Sequence, residues 1–138
     1  MTAAANAAPD FAGTWVDVSV TVPRHGDTPA EQLYDFGFTG DVERHRAELQ
    51  AIWGGPICVT QLPRTDAALR HIADELQLDP AVARSLGLRV LMALPLDTEG
   101  RVWVEALFAD DARQRAVDRR YGRGVVQLSS ALQPVSSS

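Results

Sequence analysis

Three kinds of side chain in this sequence have types that do chemistry: one cysteine, three histidines and a run of arginines near the C-terminus. Cys58 lies in AIWGGPICVTQ, residues 51–61. A nucleophilic cysteine needs a histidine or a helix N-terminus to lower its pKa. Here Gly54-Gly55-Pro56 follows a predicted helix and precedes a predicted strand, the reverse of the strand–turn–helix order of a nucleophile elbow. Cys58 therefore reads as a small apolar residue inside a strand, alternating with Ile57 and Val59. His25, His45 and His71 show no HxxxH or HxH spacing, so no metal site, cofactor or catalytic set is expected from them.

Arg113, Arg119, Arg120 and Arg123 cluster around a predicted last helix and form a candidate patch for an anion or an acidic partner. The competing reading is a solvated face, because Asp110, Asp111 and Asp118 are interspersed and Asp111 can pair with Arg115 one turn on. A helix C-terminus also suits arginines on dipole grounds. Gly122-Arg123-Gly124 is half of a phosphate loop in composition, but it follows a helix and reads as a cap and turn. Trp15, Trp103 and Glu105 fall on the polar-alternating faces of their strands, with Trp103 and Glu105 opposite Val102 and Val104. They form a candidate partner-binding surface if that face is open; cover by another part of the chain is the alternative.

The elements that must position these residues follow from periodicity. Val16, Val18, Val20 and Val22 alternate with polar residues as a strand, and Leu33, Phe36 and Phe38 suggest a second. Asp41 can cap a helix over 42–53, and residues 57–62 read as a strand. Thr65 precedes the cleanest helical stripe, Ala68, Leu69, Ile72, Ala73 and Leu76. Asp79-Pro80 opens a short helix ended by Gly87. A hairpin over 88–96 and 101–108, an Asp110-capped helix to Tyr121 and a strand at 125–129 complete the domain.

From residue 57 the order is βαββαβ, which predicts an α+β fold with a ferredoxin-like antiparallel sheet (57–129) and helices on one face. A ββα extension precedes it and is a candidate degenerate repeat. FTGDVERHRAELQAIWGGPICVTQ (38–61) can be laid beside FADDARQRAVDRRYGRGVVQL (108–128), each with Phe, Asp, an Arg-rich helix, an aromatic-Gly end and an apolar strand. On that reading, ββαβ units at 13–62 and 87–129 are joined by the helix at 65–78 within a single domain, 11–130, between loose ends at 1–10 and 131–138.

The 138 residues suffice for a core without staples, and the net charge of −5 argues against a nucleic-acid partner. MTAAANAAP lacks a basic n-region and an apolar h-region, and no stretch approaches the ~18 apolar residues of a membrane span, so a cytoplasmic protein is expected.

RYGRGVVQLSSALQPV (120–135) with GGPICV (54–59) resembles segments of small α+β proteins common in actinobacteria, over roughly residues 11–135. That resemblance implies no activity. The ββαβ units also resemble, faintly, those of bacterial protease propeptides, whose function does not carry over without a protease following the chain. The functional expectation is a non-enzymatic interaction or regulatory module with a protein partner, itself or another, acting through a sheet face or edge. The alternative is a small-ligand protein or cofactor-independent enzyme with a pocket reached by a histidine.

Overall fold

The computed structural model describes residues 1–17 and 33–133. Val18, Val20 and Val22 of the first predicted strand, His25 in the loop after it and residues 134–138 of the tail lie outside the described residues. The elements run α1 (Thr2–Asn6), β1 (Phe11–Asp17), β2 (Leu33–Phe38), α2 (Val42–Ile52), β3 (Ile57–Gln61), α3 (Asp66–Leu78), α4 (Pro80–Ser85), β4 (Val90–Leu96), β5 (Arg101–Ala106), α5 (Asp111–Tyr121) and β6 (Val126–Ser130), with a short 3-10 turn at Asp97–Glu99.

The fold is α+β, but its strands form two three-stranded sheets, β1-β2-β3 and β4-β5-β6, and not one ferredoxin-like sheet. Neither sheet is purely antiparallel. Each opens with an antiparallel hairpin pair and closes with a parallel one, β2 with β3 and β5 with β6. The reason lies in the connections: α2 and α5 return the chain to the end from which the preceding strand started, and a helical crossover of this kind produces parallel pairing. β3 is thereby consumed as the third strand of the first sheet, next to β2, and does not begin the second. Chain order within each sheet is ββαβ, so the repeated pattern is visible in topology.

Contacts divide the chain into two compact units, Met1–Ala67 with Asp97–Glu99, and Ala68–Leu96 with the residues from Gly100 onward. In the N-terminal unit, Phe36, Phe38 and Val59 of the sheet pack with Leu49 of α2 and Ala5 of α1. Residues 2–6, expected as part of a loose end, are thus helical and contribute a buried side chain. Asp41 precedes α2 in a left-handed conformation and makes no side-chain cap bond.

In the C-terminal unit, the expected α3 stripe is buried at Leu69, Ala73 and Leu76 against Val102, Val104, Val126 and Val117. Local capping follows the sequence here. Asp79 accepts from the N–H groups of Ala81 and Val82 at 3.0 and 3.3 Å, and Asp110 from Arg113 N–H at 2.9 Å. Gly87 and Gly122 end their helices with φ of +70° and +103°, conformations that side chains resist.

Glutamine side chains bond backbone groups on both edges of this second sheet. On β6, the Gln114 amide donates to the Val126 carbonyl (2.8 Å) and accepts from Leu128 N–H (3.0 Å), standing in for a neighbouring strand. On β4, Ala93 N–H donates to Gln77 Oε1 at 3.3 Å, and Pro95, two residues along the same side, has no N–H to offer. Replacing Gln114 with Ala strips partners from the buried Val126 and half-buried Leu128 groups. Urea denaturation is expected to show a loss of about 1–3 kcal/mol, against less than about 0.5 kcal/mol for Ala at exposed Arg115.

Candidate functional site

The second sheet has one face packed on α3, α4 and α5. On the other face, cross-strand register aligns Leu94, Trp103 and Gln127 in one row and Met92, Glu105 and Ser129 in the next. Trp103 and Glu105, singled out from sequence, are half-buried on the central strand. Beside them on β4, Met92 and Leu94 are 36% and 43% exposed, and Leu91 is 47% exposed. Arg101 on the same face donates to Gln127 Oε1 across the strands at 3.1 Å. The face is therefore an apolar strip on one flank and a polar strip on the other. Trp15 belongs to the other sheet, where it pairs with Asp35 and is half-buried, so the two tryptophans do not share one sheet.

The arginines divide into two groups. The Arg113 guanidinium donates to Asp110 (2.8 Å) and to the Gly87 carbonyl (2.7 Å) and lies over the Phe108 ring. Arg120 donates to Glu75 on α3, which also accepts from the Tyr121 hydroxyl at 3.2 Å. The Arg120 hydrogen bond holds the Glu75 carboxyl below its ordinary pKa against the opposing effect of burial, with Tyr121 assisting. These two arginines fasten helices and turns. Arg119 and Arg123 instead join Arg115 and Asp118 around a shallow surface depression.

The N-terminal unit holds a cavity of about 260 Å³ between α1 and α2, walled by alanines 4, 5, 7 and 8 and by Leu49, with Asp10, Arg44, His45 and Glu48 on its polar side. His45 is 4% exposed and stacks on Phe38 with ring centroids 3.7 Å apart. Its Nε2 is 2.8 Å from Asp10 Oδ2, and its Nδ1 is 3.6 Å from Glu48 Oε2. A general base needs a ring nitrogen open to substrate. Here both nitrogens face carboxylates, so the imidazole works as a clamp between the start of β1 and α2. His71, by contrast, is exposed on α3.

Cys58 is half-buried in β3, level with Asp35 and Trp15 across the first sheet. Its thiol lies 3.8 Å from the Thr60 hydroxyl. Burial pushes the Asp35 carboxyl up, the neighbouring Cys58 thiol opposes this, and the charge of Asp17 adds to it. Among the described residues no group of His, Cys, Asp or Glu side chains is set to hold a metal ion, and no helix is long and apolar enough to cross a membrane.

Sequence reading missed Asp10, Asp35, Gln77 and Gln114. For Asp35 a signal existed, a carboxylate in the middle of the apolar strand LYDFGF. The other three act on partners 12 to 35 residues away and leave no local pattern. No protein-family model matches this chain, and no curated protein matches it in sequence.

The Asp10–His45 clamp has a pH signature. Burial raises the Asp10 carboxyl, but the His45 hydrogen bond, a backbone N–H and the charges of His45 and Arg44 outweigh it, and the net shift is downward. A carboxyl depressed on folding stabilises the protein above its unfolded pKa and loses that contribution as pH falls through the folded value. Asp10→Asn is therefore expected to lower stability at neutral pH and to flatten its fall between about pH 5 and pH 2, read by denaturant titration at each pH.

Proposed function

We propose that this protein is a non-enzymatic interaction module whose first partner is a second copy of itself, docked through the open face of the β4-β5-β6 sheet. The observation that carries the reading is the order of side chains on that face. Trp103 stands at the centre of β5, with Arg101 two residues before it and Glu105 two residues after. A twofold axis lying between two such faces and crossing β5 at Trp103 sets Arg101 of each copy opposite Glu105 of the other. The same operation lays Leu94 over Leu94 and Gln127 over Gln127, so apolar flank meets apolar flank. An axis along the strand would instead oppose like charges.

Docking through the face is favoured over strand addition at β4 because Gln77 and Pro95 blunt that edge. The central tryptophan is the residue type that most often anchors such contacts. Three strands of this length span about 20 Å by about 14 Å, below the size of stable specific interfaces, so a weak, transient association in the micromolar range or above is the scale expected.

Sedimentation velocity across micromolar concentrations tests the reading. Wild type is expected to dimerise and Trp103→Ala to remain monomeric. Arg101→Glu and Glu105→Arg are each expected to weaken association about tenfold or more, and the double charge swap to restore it. Wild type that stays monomeric, or a double swap no better than its parents, overturns the proposal.

A second reading, a small-ligand protein, draws on the cavity beside His45. At about 260 Å³ it is slightly below the ~300–1,000 Å³ of typical ligand pockets. Its polar groups already bond one another, so a ligand must displace or extend that network. A fragment screen by thermal shift, with hits required to vanish in Leu49→Trp, decides it.

A further inference from the structure

The arginines of α5 that the fold does not use form a track, and we infer that it docks an acidic peptide segment of a partner protein. Arg113 and Arg120 are committed to Asp110 and Glu75. Among the described residues no carboxylate pairs with Arg115, Arg119 or Arg123, and all three are exposed. Asp118, the acid beside them, accepts a hydrogen bond from the Gln114 amide at 3.0 Å. Arg115 and Arg119 are one turn apart on the helix, about 6 Å along its axis, and Arg123 follows just beyond the Gly122 cap. Alternate carboxylates on an extended chain are spaced about 6.6–6.8 Å, so an extended acidic segment matches the track. The depression the side chains surround is shallow and open, suited to a chain lying across it and not to an enclosed small anion.

Single-stranded nucleic acid offers comparable charge spacing. The one aromatic side chain on this helix, Tyr121, is held by Glu75 and unavailable as a stacking platform, which favours the peptide. The track shares no residue with the Trp103 face, so each proposal stands or falls alone.

Fluorescence anisotropy with a labelled peptide of alternating Glu and Ser, and with an oligothymidylate of equal charge, tests it at low salt. The peptide is expected to bind saturably, and Arg119→Glu/Arg123→Glu to weaken it about tenfold or more. Arg84→Glu/Arg89→Glu, an equal change in net charge at exposed arginines outside the track, is expected to leave binding within about twofold. Circular dichroism confirms that both variants fold. Absent saturable binding of the peptide, equal loss in the two variants, or tighter binding of the oligonucleotide overturns the proposal.

Discussion

A sheet of only three strands exposes an unpaired edge on either side of a single central strand. Every buried backbone group along those edges needs a partner. In the C-terminal unit two side-chain amides supply some of those partners, Gln114 on β6 and Gln77 on β4. Gln114 reaches β6 because α5 lies against that strand, and the same helix buries Val117 in the core. Edge closure and core packing are thus two consequences of one helix position. One face of the sheet is filled by the helices, and on the other Met92 and Leu94 are exposed among the described residues.

The N-terminal unit repeats the ββαβ order with different materials. Its core is aromatic, built on Phe36 and Phe38, where the C-terminal core is built on Val102, Val104 and Val126. Its third strand is touched from α2 by Arg46, whose guanidinium donates to the Val59 carbonyl at 3.3 Å, a single bond where Gln114 makes two. Its distinctive element is the buried polar network around His45. A buried imidazole is tolerated because both nitrogens face carboxylates and its ring rests on Phe38. The Asp10 contact ties the first residues of the chain to the domain.

The charged residues show how little composition says about use. Arg113 and Arg120 belong to the same sequence cluster as Arg119 and Arg123, yet the first pair locks α5 to its neighbours and the second faces solvent. The difference is helical phase. Arg113 and Arg120 lie seven residues, almost two turns, apart and meet groups from the preceding loop and from α3, while Arg115 and Arg119 point along another side.

The sequence by itself was enough to determine whatever depends on neighbours a few residues away. The apolar stripe of α3, the caps at Asp79 and Asp110, the glycine stops and the hairpin around residues 97–100 all arise from local periodicity and backbone preference. Trp103 and Glu105 were legible for the same reason, since strand alternation alone assigns them to a common face. Strand partnership was not legible. β3 has the same apolar pattern whether it begins a second sheet or completes the first, and only the crossover through α2 decides. Asp10 with His45, Gln77 with Ala93 and Gln114 with β6 join residues far apart in the chain. No local signal marks such pairs, because what selects them is the meeting of a helix and a strand edge in the finished tertiary structure.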